Sequence, residues 1–285
     1  MAAKVKKQRT QARCLPWYGS GATVSEYHAG LLGGCGHVTV LFGGGMSIEQ
    51  FLVKTARTVI VNDKHDIATI FYRTISNPHK RQALVEDWQQ TPFTESLLRE
   101  SQDYCKRWCA DDADACSGFE LSRHYFRTAW MARSESAGTD SEFKGKLAFR
   151  MDGGGGGSSV RFQSAARSIQ EVWGPVCARC EFLNRDWRDV LPLVKDAEGM
   201  GAFIDAPWHR EGQQYTCKFT PQDHVDLELG LRRFEHTKIV VRYGDCAEAR
   251  TQFRDARWHI QEILSRNGAN GDVAELCITN FEVPS

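Results

Sequence analysis

The sequence predicts an α/β protein: a twisted, mostly parallel sheet of about seven strands, with helices on both faces and a largely helical insertion. Three observations lead there. Short apolar or β-branched runs stop abruptly at glycine or an acid, as in His37–Phe42 before Gly43-Gly44-Gly45 and Thr58–Asn62 before Asp63. Apolar residues then recur at helical spacing, as in Ile67, Ile70 and Phe71. Two strands joined through a helix run parallel, because parallel pairing needs a crossover.

Taken in order, residues 1–13 form a basic arm carrying Lys4, Lys6, Lys7, Arg9 and Arg13 without an acid. It reads as a solvated terminus or as an arm that touches phosphates. Ser47 stands where a helix over 47–55 would be capped. The helix after Asp63 breaks at Asn77-Pro78. Residues 79–148, rich in Trp, Arg, Asp and Cys, read as mostly helical, with Asp111, Asp112 and Asp114 in an acidic loop. Five glycines, Gly153–Gly157, are flanked by alternating Leu147, Phe149 and Met151 on one side and Val160 and Phe162 on the other. A flexible linker is one reading, but the alternation favours a hairpin with a mobile tip. Ser164–Trp173 reads as helix, Gly201–Asp205 as a strand ending on a carboxylate, and Lys238–Tyr243 as a further strand. Leu227, Leu231 and Phe234 share a helical face. Residues 257–263 and 275–281, around Asn267-Gly268 and Asn270-Gly271, predict a closing antiparallel hairpin. The expected organisation is the arm 1–13, a core of 14–78 and 166–285, and an insertion over 79–165.

Composition narrows the function. Lys plus Arg and Asp plus Glu both number 36 in 285 residues, so a nucleic-acid partner has to be met by local patches. With 41% apolar and 25% charged residues, a mostly disordered chain is excluded. No apolar run is long enough to span a bilayer, and the basic, polar start is no secretory signal, so no membrane partner and an intracellular, cytoplasmic location are expected. The ten cysteines read as reduced thiols. Cys177-Ala-Arg-Cys180 lacks a matching second pair, and Cys105, Cys109 and Cys116 with His124 form a weaker candidate set, so no metal is expected. His28, His37, His65 and His79 show no ligand spacing.

Three features fall at the carboxyl ends of expected parallel strands: Phe42-Gly43-Gly44-Gly45, Asn62-Asp63 and Asp205-Ala206-Pro207-Trp208. Ligands of open α/β sheets bind along that edge. The glycines admit close approach to backbone, and Asp63, 19 residues after Gly44, can accept ribose hydroxyls. By themselves these fit any nucleoside-containing cofactor, a nicotinamide included. Asp205-Ala-Pro-Trp208 is more particular. A carboxylate and a carbonyl accept the two protons of an exocyclic amine while the aromatic ring stacks on the base.

On these residues the chain resembles the Dam-class DNA adenine-N6 methyltransferases. Trp17-Tyr18-Gly19-Ser20 is similar to their aromatic-glycine cofactor motif, and Leu41–Ser47 to their glycine motif. Val61-Asn62-Asp63 with Ile70–Arg73 matches the ribose-binding acid and its helix. Asn184-Arg185-Asp186 matches the segment whose acid contacts the adenine end of the cofactor, and Phe203–Trp208 the catalytic Asp-Pro-Pro-Tyr. Phe219-Thr220, His224 and Arg242-Tyr243 resemble the segments that follow. The resemblance implies a Rossmann-like methyltransferase sheet and S-adenosylmethionine as cofactor. It implies a cofactor site of Trp17, Tyr18, Gly19, Ser20, Phe42, Gly43, Gly44, Asp63 and Asp186, and a catalytic turn of Asp205, Ala206, Pro207 and Trp208. The partner it implies is duplex DNA with a flipped adenine. The insertion corresponds to the family's DNA-recognition elements, so Arg127, Arg133, Lys144, Lys146, Arg150 and Arg161 are its candidate DNA contacts. The chain departs from the pattern at Ala206, at Trp208, and near Gly21, where the family usually carries a lysine. Trp208 keeps open an RNA or single-stranded substrate, and the departures at Ala206 and Gly21 a non-catalytic relative that binds DNA or cofactor.

Overall fold

In the computed structural model, residues 3–4, 13–110, 118–133, 136–149, 157–209, 211–266 and 271–283 are described. Among them an eight-stranded sheet forms the centre. Its strands are β1 (Ala3–Lys4), β2 (His37–Val40), β3 (Thr58–Asn62), β4 (Cys180–Leu183), β5 (Met200–Ile204), β6 (Lys238–Gly244), β7 (His259–Arg266) and β8 (Asp272–Thr279). They lie side by side in the order β1-β7-β8-β6-β5-β2-β3-β4. β2 pairs in parallel with β3 and β5, β3 with β4, β5 with β6, and the two-residue β1 with β7. β8 runs against both of its neighbours, β6 and β7. This is the expected α/β, Rossmann-like architecture, closed by the expected antiparallel hairpin. The Asn267-Gly268 turn itself lies outside the described residues, as do the acidic loop and glycines 153–156.

Side chains alternate across the sheet with the period of two that a strand imposes. Val38, Val40, Val59, Val61, Phe203 and Val240 face one apolar cluster. Ala202, Ile204, Ile239, Val241 and Ile278 face the other. The second cluster is covered by α10 (Pro221–Leu231) and α11 (Ala247–Gln252), through Leu227, Leu231, Ala249 and Phe253. Both faces are therefore buried, as parallel strands require.

The first face is covered by helices of the long crossover between β3 and β4. These are α3 (Asp66–Ser76), α4 (Pro78–Gln90), α5 (Glu95–Ala110), α6 (Gly118–Met131) and α7 (Ser158–Ser168), then a π-helical turn and the short α8 (Gly174–Cys177). His65 caps α3, its Nδ1 accepting from the Ala68 N–H at 3.2 Å. Asn77 caps α4, whose first residue is Pro78, so the Asn-Pro break ends one helix and begins the next. Trp88, Phe126 and Phe162 pack at the junction, with Trp88 and Phe126 stacked 3.9 Å apart between ring centres. They belong to the same apolar cluster as the sheet residues Val38 and Val59. Thus described residues of the 79–165 stretch, Trp88, Phe126 and Phe162 among them, share the sheet's core.

Three local expectations are corrected. Val160 and Phe162 lie on α7, which begins at Ser158, so the described part of that segment is helix where a hairpin strand was expected. Phe162, Ala165, Ala166 and Ile169 are buried at spacings of three and four, a helical pattern that the apparent two-residue alternation concealed. The helix after the glycines is the short α2 (Glu49–Leu52), which follows α1 (Ser25–Leu31), and its cap position is Ile48, so Ser47 caps nothing. β4 was not expected: half of its side chains are charged or sulfur-bearing, and at the sheet edge it carries little apolar signal.

Candidate functional site

β2 lies between β3 and β5, so the chain leaves β2 in one direction and returns on its other side. Such a switch opens a crevice at the carboxyl ends of the strands. An open cleft of about 1060 Å³, its mouth included, lies there. All thirteen residues expected for cofactor binding and catalysis line it: Trp17, Tyr18, Gly19, Ser20, Phe42, Gly43, Gly44, Asp63, Asp186, Asp205, Ala206, Pro207 and Trp208.

The glycine turn and Asp63 form one unit. Asp63 Oδ2 accepts the Gly44 N–H at 2.7 Å, and Oδ1 accepts the His65 N–H at 2.8 Å. Burial raises the Asp63 carboxyl above its ordinary range, and these two peptide donors pull it back. The Tyr72 hydroxyl donates to the Gly44 carbonyl, so α3 holds the turn from below. Trp17 backs the turn; a Cβ at Gly45 would come within 2.6 Å of its side chain. Its ring meets His65 edge-on, 5.4 Å away. Trp17 also pairs with Ala137, and the next residue, Gly138, lines the cleft. There Glu142 holds His65 Nε2 at 3.0 Å and accepts the Gly138 N–H at 2.9 Å.

At the far end Asp186 caps the short α9 (Trp187–Val190), accepting the Arg188 N–H at 3.0 Å, and pairs with Lys64 at 2.8 Å. Burial opposes its ionisation, but Lys64 and that N–H outweigh it and hold the carboxyl below its ordinary range. Phe42, Trp187 and Phe219 form an aromatic wall beside it, with the Phe42 and Phe219 rings 5.7 Å apart.

The Asp205–Trp208 turn follows β5 directly. Asp205 Oδ2 accepts from Arg242 Nη1 at 2.8 Å. Burial raises the Asp205 carboxyl, and Arg242 works against that rise. Trp208 lies over the Arg242 guanidinium, 5.0 Å from ring centre to cation. It lies so close to Gly244 that a Cβ there would stand 2.5 Å from the indole.

Several lining residues had no role in the sequence reading. Glu49 is fully buried, and neither of its carboxylate oxygens has a hydrogen-bond partner. Burial pushes it up to about 8, against the opposing pull of the nearby Glu49 and Ile48 peptide N–H groups. His65, Trp187, Glu211 and Tyr215 also line the cleft, and Tyr215 donates to the Tyr18 carbonyl at 3.2 Å. An acid at the start of the short helix that carries Phe51 and Leu52 was the one signal that could have marked Glu49. His65 and Glu142 are 77 residues apart and carried none.

The basic residues expected to meet DNA divide. Arg127 is a correction: it is buried and donates to Asp87 at 2.6 Å and to Thr91 at 3.1 Å, so it braces the helices from inside. Arg133, Lys144, Lys146 and Arg161 are exposed. Arg133 and Lys146 are neighbours, joined by a 2.9 Å bond from the Arg133 N–H to the Lys146 carbonyl. Arg150 lies outside the described residues. Of the weaker metal-ligand set, His124 is turned to Ser101 at 3.1 Å and Cys105 is buried, while Cys116 lies outside the described residues.

Among the described residues no helix is long and apolar enough to cross a membrane. No known family model matches the chain, and no curated protein matches it in sequence.

Proposed function

We propose that this chain transfers a methyl group from S-adenosylmethionine to the N6 amine of adenine in DNA. One observation carries the reading. The Asp205–Trp208 turn and the Gly43–Asp63 unit, 142 residues apart at Asp63 and Asp205, line the same cleft at a switch point of the sheet. The cleft suits the cofactor in charge and shape. Asp63, and Glu49 once it gives up its proton, bring carboxyl groups to the cleft wall that favour a ligand bearing a sulfonium and an ammonium. Asp63 has lone pairs left over for ribose hydroxyls, and Phe42, Trp187 and Phe219 offer apolar faces to a purine.

When bound, the cofactor supplies an electrophilic methyl group. The protein's part is positioning and electrostatics. The target adenine leaves the duplex, because its amine is otherwise paired. Trp208 stacks on it. Asp205 and a main-chain carbonyl of the Asp205–Pro207 turn accept its two N–H bonds and draw the nitrogen lone pair out of the ring. The nitrogen so activated would take the methyl group that the bound cofactor supplies, and Asp205, already hydrogen-bonded to that nitrogen, would take the surplus proton and pass it to water.

Incubating the protein with genomic DNA and labelled cofactor, then mapping modified bases, tests this. Label in N6-methyladenine supports it; cofactor binding with no label in any nucleic acid rejects it. Asp205→Ala should abolish transfer and leave cofactor affinity within about threefold. Trp208 favours a second reading, an RNA or single-stranded substrate, so duplex DNA, single-stranded DNA and RNA belong in the same assay.

A further inference from the structure

Arg242 lies at the meeting point of three chain segments. It is on β6, and its side chain is only 4% exposed. Nε and Nη2 make a two-pronged pair with Glu275 of β8, at 2.7 and 2.8 Å, and Ser265 of β7 donates to the same carboxylate. That pair alone would satisfy a strut inside the sheet. Nη1 goes further: it donates to Asp205 Oδ2 at 2.8 Å and to the Gly19 carbonyl at 3.0 Å. The backbone at Gly21 passes so close that a Cβ there would stand 2.7 Å from Nη1. The Arg242 Cζ stands over the Trp208 ring, 5.0 Å from the ring centre.

From this geometry we propose that Arg242 is the positioning residue of the catalytic turn: it holds Asp205 by Oδ2 so that the carboxylate meets the amine as an acceptor, and it braces Trp208 through the ring it stands over. The inference rests on the reaction proposed above for its kinetic consequence, but its electrostatic content stands independently of that reaction. A protonated Asp205 would have a donor where the reaction needs an acceptor. The guanidinium is the group that holds the acid form off.

Other groups surround the pair. Asp205 also feels Glu275, Glu49, Tyr215 and Tyr243; Arg242 also faces Glu211 and His28. Burial and Glu275 both raise Asp205, while Arg242 lowers it by more than Glu275 raises it. The signs are therefore opposite for two variants. Removing both charges in R242M/E275Q leaves burial opposed only by the weaker Trp208 hydrogen bond and raises the Asp205 midpoint. Removing only Glu275, in E275Q, leaves Arg242 to act alone and lowers it.

The test is carboxyl carbon NMR titration of Asp205 in the full chain, assigned with Asp205→Asn. It is paired with calorimetric cofactor affinity and with kcat and KM for methyl transfer. The expected result is a midpoint about one pH unit or more higher in R242M/E275Q and lower in E275Q. Once the midpoint lies one unit above the working pH, about a tenth of Asp205 is ionised, so kcat should fall about tenfold with cofactor affinity within about threefold. R242K, whose single ammonium cannot serve two carboxylates and a carbonyl, should shift the midpoint upward by less. A folded R242M/E275Q with an unmoved midpoint overturns the proposal; if that variant does not fold, an unmoved midpoint in R242K does so. Absence of methyl transfer in the unaltered protein would sink the assigned reaction and leave the titration to judge Arg242.

Discussion

Gly138 offers a quantitative check on how the cleft is built. It has a φ of +82°, and a Cβ added there would lie 2.3 Å from Trp17 Cζ2. Gly34 has nearly the same backbone, φ +86°, and nothing within 4 Å of its added Cβ. The pair separates backbone strain from collision. In the left-handed region an alanine costs about 1–2 kcal/mol. Loss of unfolded-state freedom returns about 0.4–1 kcal/mol of this. Gly34→Ala should therefore destabilise by about 1 kcal/mol. Gly138→Ala carries the same strain and must also move Trp17 in a packed wall, which adds about 1–3 kcal/mol. Urea unfolding of both variants measures the gap. Calorimetry with S-adenosylmethionine measures its consequence, since a displaced Trp17 no longer backs the Gly44–Gly45 turn. Cofactor affinity should fall in Gly138→Ala and stay unchanged in Gly34→Ala. Trp17→Phe should be partly compensatory in the Gly138→Ala background, a coupling read from a double-mutant cycle. Equal losses in the two glycine variants, or no coupling with Trp17, would refute the packing argument.

The buried carboxyls give further pH signatures. Glu49, raised by burial from 4.5 to about 8, keeps its proton in the folded chain where the unfolded chain has lost it. Stability should therefore fall as pH rises from about 4.5 to 8, and Glu49→Gln should flatten that slope in unfolding curves taken across the range. A bound cation should reverse the preference, so S-adenosylmethionine binding near pH 7 should release a proton, detected as a buffer-dependent calorimetric heat; 5′-methylthioadenosine, which has no positive charge, should release less. For His65, burial lowers the pKa, but Glu142 together with Asp63 and Asp66 raises it by more. The ion pair with Glu142 contributes most below about pH 6.5, where protonation of Nδ1 also releases the Ala68 N–H, and it is lost as pH climbs through the raised value. The stability gap between the unaltered protein and Glu142→Gln should be widest near pH 6 and narrow toward pH 8.

Much of the cleft was legible because its parts are local. Asp63 follows β3 directly, Asp205 follows β5 directly, and the glycines follow β2 within three residues. A strand's end and the residue just beyond it can be read from a short run of chain. The residues that hold those parts in place were not legible. Arg242 and Asp205 are 37 residues apart, and Arg242 and Gly19 are 223 apart. Nothing in a sequence window links an arginine inside a strand to the acid at the end of its neighbour. Arg127 shows the same limit from the other side. A basic residue in a polar helix reads as surface, yet Asp87 and Thr91 satisfy it in the interior.

From its residues alone this protein is an α/β chain with three chemically pointed turns, because strand period, helix period and glycine or acid punctuation are short-range properties of the backbone. Tertiary structure decided that the three turns share one cleft, since the sheet order places β2 between β3 and β5. It also decided the charge state of the acids inside. Ionisation there depends on how much water is excluded and which cation comes within 3 Å, and both follow from packing between segments far apart in the chain.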